Sequence, residues 1–486
     1  MSSKSLEELV SVTNDIYKVP TLTACYIDLS ATKIAVDTDW TQYDVEKNER
    51  TKFVKRHLFE INSDKKSLNL LDTSKPNAIR NDSWKVKSNS NNVYAVIANW
   101  TDKTEVKQFL EIWNNDLRLH SINLTKLAKH EKLYDNTLVW SLNSSKLAYI
   151  AEIKKTRKVT TFATANVTDS AASEYVNESN HENKYANVYQ DEWGDQNVGK
   201  SQSVLSIFDV STKEVKVVEN IPADMCPLSL CWYKDEGIVF SALNTKPYRL
   251  GLASCPIRKG ELYFYSIAND TCAELTNNKR SVRDPRFSND FKNLCWLDNP
   301  ANGGHFQCSR LMIMDWDTKQ VSTLVDVVKE LGLNGFNGIF TQTLLSKCWS
   351  LDNKRIILTT QTSHKMRIIS CDVDSKAVTV LDTGLNDLSY CEALLFENDW
   401  ICALHQSYNK KPTLIVAKLP DQGSEKTIKW NFSDDRADEF ELIAQVDLLQ
   451  LEPDYTNLHY PRVKFEGILV QKKQKTESLI VMPHGK

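Results

Sequence analysis

The chain has 486 residues and a mass of 55.5 kDa, enough for two or three ordinary domains or one large repeat domain with appendages. It is 41% hydrophobic and 25% charged, which is typical of a globular protein and excludes a disordered one. Its 60 basic and 63 acidic side chains give a net charge of -3, so charge provides no case for binding nucleic acid or an anionic membrane.

Targeting signals and cysteines indicate the compartment. No run approaches the roughly 18 apolar residues of a membrane span, and the N-terminus lacks the apolar core of a signal peptide. The eleven cysteines are odd in number and contain no Cys-x-x-Cys pair. We therefore expect reduced, buried thiols and a cytoplasmic protein.

The sequence pattern of residues 5–18 predicts an amphipathic helix, the one convincing helix before the strands begin. Ser5 and Glu8 have the spacing of a capping box, leucines line one face, and Pro20 ends the segment. A helix this short needs a surface to dock on.

From about residue 22 to residue 445 the pattern is one predicted strand after another, and it contains an internal repeat. Four segments align: 139–150, 231–242, 286–297 and 348–359. An aromatic residue is second in each segment: Trp140, Trp232, Phe287 and Trp349. A turn-forming residue is fifth: Asn143, Asp235, Asp290 and Asp352. An apolar strand follows each turn.

Each segment is followed by a second strand-turn-strand unit, beginning at Ile207, Phe264, Ile313 and Ser370. Four strands recurring about every 45–60 residues predict the blades of a β-propeller. Weaker copies begin at Leu58 and at Arg118, the latter with 93–100 as its partner strand, and an irregular last copy lies between Leu388 and about Ile443. The total is about seven blades. WD40 repeats would carry a Gly-His…Trp-Asp framework, and a large β-sandwich explains neither the register nor the strand number.

Two stretches depart from the repeat. Residues 156–200 are polar and rich in Asn, Ser and Glu, so we expect a mobile insertion in one blade. Beyond Ile443 the register changes, and 460–471 and 478–486 predict two strands of a different sheet.

The segment GDQNVGKS, Gly194 to Ser201, matches the P-loop pattern G-x-x-x-x-G-K-[ST]. A P-loop needs a buried strand before it and a helix after it, because the phosphates bind at the helix N-terminus. Here acidic residues precede the segment and a strand pattern follows it. We interpret the match as accidental.

No other motif specifies a reactive site. The nine histidines are scattered without metal-binding spacing, and we expect no metal and no cofactor. No Gly-x-Ser-x-Gly occurs, although an unmarked Ser-His-Asp triad stays open. The run Arg283-Asp284-Pro285-Arg286 is interpreted as a solvated turn; the alternative, a functional role, would require it to face the propeller channel.

The last nine residues contain a short apolar run, Leu479–Met482, that suits a buried strand. Pro483-His484-Gly485 then breaks it. A strand feeding a His-Gly turn looks like the start of the oxyanion-hole segment of an α/β-hydrolase.

Five stretches carry a resemblance to a known family: 189–210, 246–267, 309–328, 335–358 and LIVMPHGK at the C-terminus. Together they resemble the acylaminoacyl-peptidases, or acylamino-acid-releasing enzymes, within the prolyl oligopeptidase family of serine peptidases. The resemblance implies an all-β, seven-bladed propeller at 21–445. It also implies an N-terminal helix (1–20) that packs on a hydrolase domain, and the first strands of that domain at 446–486.

The resemblance implies that the complete enzyme cleaves short N-acylated peptides, that the propeller excludes longer substrates, and that a homo-oligomer forms. Family members continue His-Gly-Gly-Pro where this sequence has His484-Gly485-Lys486, so the second oxyanion donor cannot be carried over. The catalytic serine, aspartate and histidine have no counterparts. We therefore expect the non-catalytic gating part of a truncated peptidase. The alternative is a stand-alone propeller module that associates with intact subunits.

Overall fold

A computed structural model describes most of the chain, with gaps. The described residues are 17–64, 66–79, 83–88, 93–102, 105–114, 117–127, 130–134, 137–154, 191–253, 255–301, 303–329, 336–384, 389–408, 410–434, 443–452, 465–472 and 481. The predicted helix at 5–18 lies outside them except for its last two residues. The same holds for most of the predicted insertion and nearly all of 478–486.

Antiparallel strands dominate this part of the chain and form seven successive sheets, which together give the fold class of a seven-bladed β-propeller. The first sheet comprises β1 (Thr21–Leu29), β2 (Lys33–Asp44), β3 (Glu49–Ile61), β4 (Leu68–Thr73) and β5 (Asn77–Ile79). The second comprises β6 (Ser83–Lys87), β7 (Val93–Asp102), β8 (Glu105–Asn114) and β9 (Leu117–Asn123), followed by the helical turn α1 (Leu124–Leu127). The third comprises β10 (His130–Leu133), β11 (Val139–Trp140), β12 (Lys146–Ile153), β13 (Ser203–Asp209) and β14 (Val215–Val217).

The remaining sheets continue in chain order. The fourth comprises β15 (Met225–Tyr233), β16 (Gly237–Asn244), β17 (Gly260–Ser266) and β18 (Thr271–Glu274). The fifth comprises β19 (Ser281–Phe287), β20 (Asn293–Asn299), β21 (Arg310–Asp315) and β22 (Val321–Val325). The sixth comprises β23 (Arg355–Thr362), β24 (Lys365–Asp372) and β25 (Val378–Val380). The seventh comprises β26 (Ser389–Glu397), β27 (Trp400–Ser407), β28 (Lys410–Lys418) and β29 (Trp430–Phe432), with a 3-10 turn at Glu425–Thr427.

The sheets belong to two compact units. One contains residues 1–83, 283–299 and 306–486, and the other contains 84–282 and 300–305. Within each unit, neighbouring sheets enclose an apolar layer: second with third and third with fourth in one unit, fifth with sixth and sixth with seventh in the other. Burial of these layers is the main favourable term in the stability of each unit.

The first and seventh sheets also pack face to face. Side chains such as Ile34 and Val36 share an apolar cluster with Leu414 and Val416. Among the described residues, the strands of each of these two sheets come from one continuous stretch of chain, and no strand is exchanged between them. Side-chain packing therefore makes this joint, helped by polar contacts such as the 3.0 Å hydrogen bond from the Leu68 N–H to the Asn431 side chain.

The predicted repeat is confirmed at its three tryptophans and at three of its four turns. Trp140, Trp232 and Trp349 are buried at the predicted positions. In three of the four turns a serine hydroxyl donates to the predicted turn residue, namely Ser141 to Asn143, Ser288 to Asp290, and Ser350 to Asp352. The fourth turn has Tyr233 in place of the serine. Its Asp235 instead accepts a 3.0 Å hydrogen bond from the Asn143 N–H of the third sheet.

Two strand predictions need correction. Strand β8 lies between β7 and β9, so 93–100 does not pair directly with the strand at Arg118. The missed strand, EVKQFLEIWN, alternates weakly because the polar Gln108 lies on its buried face and the aromatic Phe109 and Trp113 lie on the other. The last copy is a regular four-stranded sheet rather than an irregular one.

Beyond the seventh sheet, β30 (Ile443–Leu451) pairs with β31 (Phe465–Lys472) in a separate two-stranded sheet. This confirms the change of sheet predicted for 460–471. The partner strand starts at Ile443.

Candidate functional site

Two loops of the 84–282 unit interlock, and we call them the paired loops: Asp191–Gln202 and Lys246–Arg258. The Arg249 guanidinium donates to the Ser201 carbonyl (2.6 Å), contacts the Asp191 carboxylate, and lies 5.7 Å from the centre of the Trp193 ring. Trp193 is buried and its carbonyl accepts from the Leu252 N–H at 3.1 Å. The paired loops are therefore held by a charged core as well as by apolar packing.

A close approach of backbones shapes the paired loops. Gly194 has a φ of +74°, and a Cβ there would lie 3.2 Å from the Cα of Gly251. Residues 191–200, predicted as the end of a mobile insertion, are instead packed. The prediction missed this because a single tryptophan in a polar run gives no periodic signal.

The P-loop match lies within the paired loops and is confirmed as accidental. Gly194–Ser201 forms turns and is followed by strand β13 rather than by a helix. The Gly199 N–H donates to the Glu192 carboxylate at 2.7 Å, in the place where a phosphate oxygen would be expected. The segment thus lacks the helix N-terminus that binds phosphate.

A buried carboxylate anchors the paired loops to the third sheet. One oxygen of Glu152 accepts the N–H groups of Ser201 and Gln202, and the other accepts the Tyr134 hydroxyl at 2.6 Å. Burial, followed by this hydrogen bond to Glu152, raises the pKa of Tyr134. Tyr134 therefore remains protonated as a hydrogen-bond donor, and Glu152 joins the paired loops, through Ser201 and Gln202, to the third sheet.

The run Arg283-Asp284-Pro285-Arg286 is not a solvated turn, so that interpretation is wrong. It lies in strand β19, where Arg283 is only 7% exposed and Asp284 is 8% exposed. Arg283 donates to Asn299 at 2.6 Å and to Ser309 at 2.9 Å. Composition suggested a surface turn because four polar or turn-forming residues are adjacent, but tertiary contacts override that tendency.

Two buried histidines of the described chain have hydroxyl partners. His57 lies between two threonine hydroxyls, Thr38 at 3.2 Å and Thr73 at 3.1 Å, and His130 contacts the Tyr149 hydroxyl at 2.8 Å. The His57 cluster lacks an orienting carboxylate in hydrogen-bond contact, so it is not a nucleophile-base-acid set. Across the described ranges, no group of three or more His, Cys, Asp or Glu side chains could hold a metal ion.

One histidine joins the separate two-stranded sheet to the sixth sheet. The Nδ1 atom of His364, in the β23–β24 turn, is 2.8 Å from a carboxylate oxygen of Glu466 in β31. The His364 N–H donates to the same oxygen at 3.2 Å, and Gln450 donates to the other oxygen at 3.1 Å. This contact holds the start of β31 against the propeller sheets.

A cavity of about 420 Å³ lies where turns of the first, sixth and seventh sheets meet. Its charged lining is balanced: Lys66, Arg355 and Lys418 against Asp352, Asp399 and Asp421. This balance favours neither an anionic nor a cationic ligand.

All eleven cysteines are free thiols, and eight are buried, as predicted. No helix within the described ranges is long and apolar enough to cross a membrane. The predicted oxyanion-hole residues His484 and Gly485 lie outside the described residues.

These observations define a seven-bladed β-propeller whose buried polar clusters hold loops and strands in place. Residues 2–447 match the family model of the acylamino-acid-releasing enzyme, N-terminal domain. The chain belongs to this family, as the sequence resemblance indicated.

Relatives and a solved structure agree with the family match. Over 471 residues the chain is 31% identical to the acylamino-acid-releasing enzyme of Homo sapiens, covering 93% of this chain and 63% of the human protein. The Mus musculus enzyme is 29% identical with the same coverage. The acylaminoacyl peptidase of Pyrococcus horikoshii superposes with a TM-score of 0.54 at 10% identity, over 94% of this chain and 58% of that chain. This last likeness shows the fold alone. The chain thus spans 63% of the length of these two mammalian relatives.

Proposed function

We propose that this chain is the non-catalytic, substrate-gating propeller portion of an acylaminoacyl-peptidase. The complete enzyme would hydrolyse short N-acylated peptides and release an N-acylamino acid by serine-nucleophile catalysis. The observation that carries the proposal is the family match at 2–447, which spans all seven sheets and ends within β30 of the separate sheet.

The geometry supports a gating rather than a chemical role. Acyl transfer needs a nucleophile held against a base and an orienting acid. Two buried clusters of the described chain, around Glu152 and His57, hold loops and strands. The propeller would act by excluding long or folded substrates, and no cofactor is needed for this task.

The separate sheet supports the proposed domain organisation of a helix at 1–20, a propeller at 21–445 and the beginning of a hydrolase domain at 446–486. Leu449, Leu451 and Phe465 are exposed on one face of this sheet, and Ile468 and Val470 are exposed on the other. Exposed apolar residues on both faces of a sheet are expected where other layers would cover it, as they do in an α/β domain, whose sheet can include an antiparallel edge strand. Within 446–486, His484 and Gly485 would begin the oxyanion-hole segment. The helix at 1–20 would pack on the same domain.

Two further assignments belong to this proposal. The buried free thiols support a reducing, cytoplasmic location. A homo-oligomer is proposed by analogy with the family alone.

The second candidate function is a stand-alone propeller that binds intact subunits of the enzyme. The exposed apolar faces of β30–β31 favour it, because such faces associate with other surfaces in water. In that case the chain would act as an interaction module.

The test combines an intact mass of the protein from its own source with labelling by a fluorophosphonate probe. The recombinant 486-residue chain and a heat-inactivated native sample are the controls. If the native protein is heavier than the 486-residue chain by the mass of about 250 residues, and heating abolishes its labelling by the probe, the peptidase proposal is supported. A native mass of 55.5 kDa without labelling supports the interaction module.

A further inference from the structure

The sixth sheet lacks the first strand that the repeat places before β23. In the third, fourth and fifth sheets the strand carrying the repeat aromatic pairs with the next strand along the chain, but before β23 only the single bridge Trp349–Ile356 forms. The segment leaves β23 after Phe340, whose carbonyl accepts from Gln361 at 3.0 Å, and rejoins it at Cys348. We call the displaced part, Thr341–Leu345, the strap.

Two arginines of β19 hold the strap by its main-chain carbonyls. Arg283 donates to the carbonyls of Gln342 (3.0 Å) and Thr341 (3.1 Å). Arg286 donates to the carbonyls of Leu345 (2.7 Å) and Leu344 (3.2 Å). Four carbonyls of a five-residue segment therefore accept from guanidinium groups, as the backbone of a bound peptide would.

The backbone of β19 explains how both arginines reach the same segment. Residues three apart in a regular strand point to opposite faces. Asp284, between the two arginines, has a φ of +54°, which breaks the alternation in the manner of a β-bulge. Aspartate tolerates this left-handed conformation better than most residues. Asp284 also accepts the Leu344 N–H at 3.3 Å, so it completes the grip on the strap.

The partners of these guanidinium groups are mostly neutral. Arg283 bonds to the side chains of Asn299 and Ser309 and to two carbonyls, and Arg286 bonds only to carbonyls, with Asp284 3.9 Å away. Burial lowers the pKa of Arg283 and raises the pKa of Asp284, so keeping both side chains charged costs desolvation free energy. A carboxylate offers a guanidinium an opposite charge and a bidentate geometry, neither of which a single neutral carbonyl provides.

We propose that Arg283 and Arg286 form a carboxylate-binding site that the strap fills, and that a short N-acylated peptide competes with the strap through its C-terminal carboxylate. The ligand class rests on the proposed function, whereas the site rests on the contacts alone. Acylation removes the positive charge of a peptide's amino group, so the C-terminal carboxylate is the one main-chain charge left for recognition. Ligand binding would release the strap, because both bind the same donors.

The experiment uses the 486-residue chain with two probes of equal size, N-acetyl-Ala-Ala as the free acid and as the C-terminal amide. Affinities are measured by ligand-observed NMR. Hydrogen exchange of peptides covering 336–349 reports on the strap. We expect the acid to bind at least tenfold more tightly than the amide and to speed exchange in the strap. Equal affinities for the free acid and the amide would overturn the proposal. So would a free acid that does not bind at millimolar concentration.

Variants locate the site. Arg286→Gln should weaken acid binding at least tenfold, whereas Arg367→Gln, which removes a half-buried cation of the sixth sheet, should leave it unchanged. Equal effects of the two variants would overturn the assignment. If Arg286→Gln does not fold, the acid-amide ratio and the strap exchange of the unaltered chain decide. Unacylated Ala-Ala-Ala separates the two proposals: if it matches the acetylated acid, the carboxylate site stands and the preference for acylated peptides fails.

Discussion

The indole N–H of Trp349 donates a hydrogen bond to the main-chain carbonyl of Arg286, 3.2 Å away, and so joins the sixth sheet to the fifth. The equivalent tryptophans of the repeat make the same kind of bond in the third and fourth sheets. Trp140 donates to Val86 at 3.2 Å and Trp232 donates to Val139 at 3.0 Å, in each case across to the preceding sheet. The repeated tryptophan is thus both a core residue and a tie between neighbouring sheets.

Replacing this tryptophan by phenylalanine tests the tie. Trp349→Phe removes the donor and keeps most of the buried ring, so it should lower the free energy of unfolding by about 1 kcal/mol more than a matched change without such a bond. Trp296→Phe is the matched control, because Trp296 is 1% exposed and its indole nitrogen has no hydrogen-bond partner. Denaturant unfolding of both variants measures the difference. Equal losses would show that the bond contributes nothing.

Much of the fold could be predicted from sequence because the repeat is local. The aromatic residue, the turn residue and the following strand lie within twelve residues, so spacing alone identified them. The seventh sheet was also located, although its regular four strands were not. Strand β8 was missed because the polar Gln108 lies on its buried face while the aromatic Phe109 and Trp113 lie on the other, which obscures the alternation.

The residues of the candidate sites were harder to predict for a physical reason. Arg283 and Arg286 become a clamp only because Asp284 takes a left-handed backbone and because the strap, some 60 residues further on, passes beside them. Arg249 and Asp191 meet across a similar distance in sequence. No periodicity marks such contacts. The stretches that carried the family resemblance did include the paired loops.

Two buried histidines predict how stability depends on pH. Burial, the larger cause in each case, and a nearby lysine lower the pKa of His57 and His405 to about 4. An unfolded histidine binds its proton near pH 6.5, so between pH 6.5 and pH 4 the unfolded state holds more protons than the folded state. The free energy of unfolding should therefore fall as pH drops through this window, by about 3 kcal/mol for each histidine at most.

Single variants isolate the contribution of each histidine. His57→Gln and His405→Gln should each reduce the loss of stability between pH 7 and pH 4.5, measured by urea unfolding at both values. His305→Gln, at an exposed position, is the control for removing a histidine. Parallel pH profiles for all three variants and the unaltered chain would contradict the prediction. Carboxylates that titrate in the same range affect every variant alike and cancel in the comparison.

A buried ion pair supports the joint between the sixth and seventh sheets. Arg355 has a side chain 3% exposed and donates to Glu425 at 3.2 Å and to the Pro420 carbonyl at 2.5 Å. Arg355→Met should cost about 3–5 kcal/mol of unfolding free energy, because it leaves the Glu425 carboxylate buried without its cation. The double variant Arg355→Met, Glu425→Gln should recover part of that loss. A double variant whose loss equals the sum of the two single losses would show that the residues are not coupled.

The contact between His364 and Glu466 predicts how firmly the separate sheet is held. Burial alone would raise the pKa of Glu466, but hydrogen bonds from His364 and Gln450 outweigh it and lower that pKa. Glu466→Gln keeps the shape of the side chain but weakens the bond to the imidazole. We expect faster hydrogen exchange across β30 and β31 in this variant, because the substitution weakens a contact that ties this pair of strands to the sixth sheet. Exchange in β23 and β24 should stay unchanged, since their ladder does not involve Glu466.

Gln445→Ala, which removes a side chain that bonds to Asp447 of its own strand, is the control. If Glu466→Gln and Gln445→Ala exchange alike, the histidine contact does not anchor the sheet. If exchange also rises in β23, the substitution disturbs the sixth sheet itself.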